Sequence, residues 1–299
     1  MSTAAESFKT IAAPSSWRTV MSVFKLRIGV LIMLTALAGL AITPAPAPAV
    51  WQVLVMALAV LVSSASAGAF NQYIEAGSDR LMQRTRRRAF ASGMLEPTST
   101  WLALIVGMLA VSVAAAWLAL NATAALYLFL GAFTYAVVYT VVLKRRTWLN
   151  IVIGGLAGSF AVLTGAAASD PSPGPLPLLL ALVLFLWTPP HFWSLAIANR
   201  DDYAAAGIPM LPVVVGTARA ARIVHANTLL LVAVSLLPVL FGAGAVYLAG
   251  AVIGGAHFLH RTHALARDPQ RRTAMASFFA SMVHLTGLIV GVAVDAALR

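Results

Sequence analysis

Long apolar runs, each bounded by a short polar or basic segment, recur along the chain. Runs of roughly 17 to 22 residues, the length a helix needs to cross about 30 Å of hydrocarbon, lie near residues 28–43, 50–70, 100–118, 122–142 and 150–168. Four more lie near 176–198, 225–240, 243–260 and 274–295. The pattern predicts an all-α, polytopic membrane protein with nine transmembrane helices, an odd number that puts the termini on opposite sides.

Basic residues orient these spans, because cytoplasmic loops collect Lys and Arg. Lys9, Arg18, Lys25 and Arg27 precede the first span. Every second loop then holds a group: Arg80 and Arg84 to Arg88, Lys144 to Arg146, Arg200 to Arg222, and Arg261 to Arg272, so that 19 of the 20 Lys and Arg fall on one side and only Arg299 lies outside. The opposite segments Thr43 to Ala49 and Ser169 to Pro177 contain neither. A miscounted span would scramble this alternation. The expectation is a multi-pass protein of a bacterial-type cytoplasmic (inner) membrane, with the N-terminus cytoplasmic and the C-terminus outside. The first apolar run and its Ala-Pro repeat resemble a signal peptide, but the 27-residue leader and alternating prolines argue against cleavage. Residues 1–16 read as a disordered cytoplasmic tail and 17–299 as a single transmembrane domain.

Composition agrees: 61% of residues are apolar, 10% are charged and the mean hydropathy is +0.89. The net charge of +11 could point to nucleic acid, but charges spread over short loops belong to a membrane protein's cytoplasmic face, so no nucleic-acid partner is expected and membrane lipids are. With no cysteine, neither disulfides nor thiolate metal sites are available.

Only nine residues are acidic, and a carboxylate beside lipid is costly, which singles out Glu75, Asp79, Asp201 and Asp202. On a helix, Asn71, Glu75 and Asp79 at i, i+4, i+8 drift about 40° per step and form one stripe roughly 12 Å long. Oxygen ligands there, facing a second acidic cluster, suit Mg²⁺, which takes one or two carboxylates together with water and substrate phosphate. The run Gln83 to Arg88 adds guanidinium forks for phosphate oxygens. Arg86 and Arg87 serve equally well as topology determinants.

At this point the residues carry a resemblance. Asn71-Gln-Tyr-Ile-Glu75-Ala-Gly-Ser-Asp79 followed by Arg84-Thr85 and Arg88 resembles the first acidic motif of the UbiA superfamily of intramembrane prenyltransferases. Tyr139 to Thr147, Asn150 to Gly155, Trp187-Thr-Pro-Pro-His191-Phe-Trp193 and Asp201-Asp202-Tyr203 to Val213 resemble one branch, the protoheme IX farnesyltransferases or heme O synthases. The resemblance runs from about residue 20 to the C-terminus. Three positions depart: Arg87-Arg88-Ala89 stands where Asn-Arg-Pro is usual, Phe160-Ala161 lacks the usual proline, and Ala206 stands four residues after Asp202 where the superfamily pairs a second Asp.

The resemblance implies helices around a central cavity and transfer of farnesyl from farnesyl diphosphate to a vinyl group of protoheme IX (heme b), with water completing a hydroxyethylfarnesyl substituent, in heme A biosynthesis. It implies Asn71, Glu75, Asp79 and Asp202 as catalytic residues and Mg²⁺ ligands, with Asp201 the weaker choice. Arg84, Arg88, Lys144 and Arg145 are the diphosphate-binding candidates. His191, Tyr139 and Trp187 are the heme-binding candidates, with Tyr73, Phe192 and Trp193 as further aromatic faces for an allylic cation. Other enzymes of heme A biosynthesis are candidate partners. A structural histidine or a packing aromatic would account for several of these singly, and His257, His260 and His263 read as a surface cluster. Three other readings stand beside this one: a UbiA-type enzyme acting on a quinone precursor or chlorin, an ion-coupled transporter, and a structural membrane subunit. Acids clustered with arginines at helix ends rather than at the midplane argue against transport.

Overall fold

A computed structural model of the protein describes residues 17–298, so the proposed tail at 1–16 lies outside the described residues. Among these every regular element is helical. α1 (Trp17–Val23) and α2 (Leu26–Ile42) form one span bent by 44°. α3 (Val50–Ile74) and α4 (Ser99–Ala119) follow, then α5 (Ala122–Phe133), which runs on as a π-helix over Thr134–Leu143. A turn at Asn150–Gly154 leads into α6 (Leu156–Ser169), and α7 (Pro175–Ala198) comes next. α8 (Thr217–Leu236) ends in a 3₁₀ turn, Leu237–Phe241, before α9 (Ala245–Arg267) and α10 (Arg271–Ala297).

The bundle is apolar outside and small or polar within, as lipid demands. Leu118 is 87% and Leu240 78% exposed, whereas Ser63, Ser66, Ser194, Thr228, Ser277 and Ser281 are buried. Hydroxyls and amides join helices across the interior: Ser66 donates to the Ile105 carbonyl (2.7 Å), Ser159 to Ala181 (2.7 Å), and Asn121, which also caps α5, to Ala167 (2.7 Å). Asp295 near the end of α10 accepts from Val246 and Tyr247 N–H (3.1 and 2.8 Å), capping α9 with negative charge where a helix dipole favours it. Glycines permit the closest crossing: a Cβ on Gly165 would stand 1.7 Å from the Ala36 carbonyl oxygen, so α2 and α6 touch backbone to backbone.

The helical class matches the sequence reading, but the number of spans does not. Among the described residues seven stretches are long and apolar enough to cross a bilayer, and the bent α1–α2 pair makes eight, against nine expected. α9, 23 residues long, occupies the remaining place. His257, His260, Arg261, His263 and Arg267 make its second half polar, which leaves too short an apolar stretch by the same measure.

Candidate active site at the basic end of the bundle

The acids sit where α3 breaks. The helix ends at Ile74, Glu75 takes φ −90° and ψ 5°, and helix resumes over Ala76–Asp79. The backbone bonds Glu75 N–H to Asn71 O (3.0 Å) and Asp79 N–H to Glu75 O (2.8 Å) carry the i, i+4 link through the break. The expected stripe therefore survives, on an interrupted helix rather than a continuous one. Asn71, Glu75 and Asp79 are all buried.

Opposite them stands the π-helix, a form uncommon outside functional sites. Its i→i+5 backbone bonding is seen in Lys144 N–H to Tyr139 O (2.9 Å), and the Thr140 side-chain hydroxyl separately donates to Tyr135 O (2.8 Å). Tyr135 and Tyr139 stack with centroids 5.6 Å apart, and Lys144 Nζ lies 5.6 Å from the Tyr139 ring. Glycine is needed at 154, where a Cβ would come within 2.9 Å of the Tyr139 ring.

Cations meet the acids one by one. Lys144 Nζ bridges both Glu75 oxygens (2.5 and 2.6 Å), in a buried pair. Arg88 Nη1 donates to Asp79 Oδ2 (2.7 Å), while Asp79 Oδ1 is buried without a partner. Thr85 donates to the Asp79 carbonyl (3.0 Å), folding the arginine loop over the acids. The same loop reaches the second acidic segment: Arg84 N–H donates to Asp202 Oδ2 (3.3 Å) and its guanidinium to the Tyr203 hydroxyl (3.4 Å).

Lys25 belongs to the same network. It stands at the bend between α1 and α2 at φ 48° and ψ 41°, the only non-glycine at positive φ among the described residues. Such a conformation is uncommon for a lysine and tends to mark functional sites. Its Nζ donates to Asn71 Oδ1 (2.7 Å) and lies 3.5 Å from the Tyr135 hydroxyl, and Asn71 Nδ2 donates to Thr140 (3.0 Å). In the sequence Lys25 stands out only as a topology charge. A lysine directly before a long apolar run was the available signal. Tyr135 and Thr140 gave none, because nothing in the sequence marks the π-helix. Of the expected residues, Arg145 is exposed and outside the network, and Asp201 is 98% exposed with Arg200 as its neighbour.

The predicted heme set divides. Tyr139 sits with the acids, whereas His191 and Trp187 stack together on α7 (4.1 Å, 20°), with Phe278 of α10 stacked against His191 (4.4 Å, 28°) and Phe192 meeting it edge-on. His191 Nδ1 lies 2.7 Å from Ser281 Oγ. The single hydroxyl proton of Ser281 is given to the Phe278 carbonyl (2.6 Å), so Ser281 accepts from His191. That fixes the proton on Nδ1 and leaves a lone pair on Nε2. Tyr73 packs edge-on against Phe90 and takes no part. Trp193 is buried beside Trp148 with Nε1 unpartnered.

A separate apolar cleft of about 930 Å³ opens between α2 and α10, lined by Leu34, Leu37, Ala41, Pro44, Ile289 and Ala293. It lies at the end of α2 remote from Lys25. It suits a hydrocarbon, but it lacks the charged groups of a reacting centre.

Buried acids thus interleave with Lys and Arg at the ends of helices, and an imidazole stands apart from them. The model of the UbiA prenyltransferase family matches residues 32–284. The chain belongs to the UbiA prenyltransferase family. Relatives in this family include protoheme IX farnesyltransferase 2 of Paramagnetospirillum magneticum, 55% identical over 93% of this chain and 96% of its own. The protoheme IX farnesyltransferase of Methylococcus capsulatus is 39% identical over 94% of both chains. Among solved structures, one described as concerning digeranylgeranylglyceryl phosphate synthase superposes with a TM-score of 0.77 at 18% identity, over 94% of this chain and 99% of that one. A UbiA homologue from Archaeoglobus fulgidus, bound to DMAPP and Mg²⁺, gives 0.68 at 15% identity over 90% and 99%. At such identities these likenesses speak for the UbiA fold alone.

Proposed function

We propose that this enzyme transfers the farnesyl group of farnesyl diphosphate to a vinyl group of protoheme IX, giving heme O. The observation that carries the acceptor is the 55% identity, over nearly the whole of both chains, to a protein named protoheme IX farnesyltransferase 2. His191 adds a physical argument, since a buried imidazole held by Ser281 among aromatic rings has the chemistry of a heme-iron ligand.

The diphosphate belongs at Asn71, Glu75, Asp79 and Asp202. Among the described residues no three His, Asp or Glu already converge as a metal cage. That is in keeping with Mg²⁺, which takes one or two carboxylates and completes its shell with phosphate and water. The unpartnered Asp79 Oδ1 is a buried anionic oxygen that a cation would satisfy, and Asp202, held by one N–H, has oxygen to spare. Mg²⁺ held there would neutralise charge on the departing diphosphate.

The chain's own cations contribute the rest. Lys25, Arg84, Arg88 and Lys144 stand where negative charge grows as the allylic C–O bond breaks, and fixed charges in a water-poor site lower that barrier. Diphosphate would draw Lys144 from Glu75 and Arg88 from Asp79, which frees carboxylate oxygens as the phosphates arrive. Tyr135 and Tyr139 present ring faces beside the cleaving bond, where they would shield and stabilise the allylic cation. The heme vinyl group then attacks C1 of that cation, the positive charge passes to the carbon next to the macrocycle, and water adds there and loses a proton. The basic end, which carries the site, is taken as cytoplasmic by the positive-inside rule.

Purified enzyme given labelled farnesyl diphosphate with heme b, a quinone precursor or a chlorin tests the acceptor. Label is expected in heme alone; transfer to either of the others in preference to heme overturns the reading. His191→Ala is expected to weaken heme titration at least tenfold while leaving farnesyl diphosphate binding within about twofold.

A further inference from the structure

The expected surface cluster of His257, His260 and His263 on α9 does not close on itself. His263 instead faces His225 of α8, with ring centroids 5.4 Å apart and planes at 62°. This pair stands at the basic end of both helices, outside the proposed catalytic groups.

The geometry points to a two-histidine site for a divalent transition-metal ion, clipping α8 to α9. A Zn²⁺–N bond of about 2.0–2.1 Å, extended to the ring centre and opened to a tetrahedral angle, places two imidazole centroids about 5.2 Å apart. The observed 5.4 Å is close to that. Opposed axial ligands on a heme iron would stand more than 6 Å apart, with a macrocycle between them, by roughly the same bond lengths. The spacing therefore fits a free ion better than a porphyrin.

The second argument is the orientation of His225. Its Nδ1 lies 3.0 Å from Thr262 Oγ1, and Thr262 gives its one hydroxyl proton to the Leu259 carbonyl (3.1 Å). With the Thr262 proton on the Leu259 carbonyl, Thr262 accepts from His225 Nδ1–H, the tautomer in which Nε2 keeps its lone pair for a metal. A hydrogen bond that fixes tautomer and ring from behind is the arrangement found around metal-bound histidines. His225 is half-buried and His263 exposed, so one ligand is held in place while the other remains able to adjust. Water would complete the shell.

The test uses tag-free protein in detergent and Zn²⁺ alone, by calorimetry and by thermal unfolding with and without the ion. Wild type is expected to bind one Zn²⁺ per chain and to unfold at a higher temperature with it. His225→Ala and His263→Ala should each weaken binding at least tenfold and abolish the thermal shift, and Thr262→Val should weaken binding about tenfold. Replacing the exposed His263 should leave the metal-free melting temperature unchanged, which separates lost binding from lost folding. Wild-type affinity in the doubly substituted protein would overturn the inference. So would binding of hemin, rather than Zn²⁺, that disappears in both single variants.

Discussion

At the scale of single residues, Lys25 separates backbone strain from chemistry. Its positive φ would be relaxed by glycine, while the ammonium on Asn71 would be lost. Lys25→Gly should keep the thermal stability within about 1 kcal/mol and lower farnesyl transfer tenfold or more, with a raised KM for farnesyl diphosphate; unchanged kinetics would remove Lys25 from the site. Glu75 calls for a different substitution. Glutamine would strand a buried Lys144 ammonium, a loss of about 3–5 kcal/mol that would confuse folding with function. Glu75→Asp keeps the charge, and partial transfer by a folded protein is the expected outcome in a product assay. What the sequence made legible at this scale was charge next to lipid: Asn71, Glu75, Asp79, Arg88 and Asp202 stand out by type and position, while Lys144 enters the site through the family resemblance. Tyr135, Thr140 and Ser281 were not legible, since a Tyr, Thr or Ser in a membrane helix is ordinary until a neighbouring chain supplies its partner.

At the scale of elements, the apolar runs located the helices because length and hydropathy are set locally. The breaks were invisible. A π-helix over Thr134–Leu143 and an interruption at Glu75 depend on packing against other helices, and no local residue type announces them. The polar half of α9 differs, because His257, His260, Arg261, His263 and Arg267 announce it in the sequence. Helix crossings, by contrast, follow from glycine. Gly165→Ala would drive a methyl into the Ala36 carbonyl, and separating α2 from α6 should lower stability by about 1–3 kcal/mol. Gly158 lies in the same helix with open space beyond it, so Gly158→Ala should leave the melting temperature unchanged or raised. Equal effects of the two substitutions would contradict the close approach.

At the scale of the whole molecule, the Lys and Arg among the described residues gather at the end that holds Glu75 and Asp79, so topology and chemistry share one set of charges. If that end is cytoplasmic, single cysteines placed at Ala47 and Arg86 of this cysteine-free chain should label from opposite sides of a sealed membrane. Labelling from the same side would contradict the orientation. The two proposed substrate regions, acids with cations on one hand and His191 on the other, must act on one product. The most direct measurement is the mass of the tetrapyrrole formed from heme b and farnesyl diphosphate by wild type and Asp79→Asn, each with and without Mg²⁺. Wild type with Mg²⁺ should yield heme carrying one farnesyl group and one water, and Asp79→Asn should fall by about 10²–10³-fold while remaining folded. Full product from Asp79→Asn without Mg²⁺, or no farnesylated heme from wild type with it, would contradict the account.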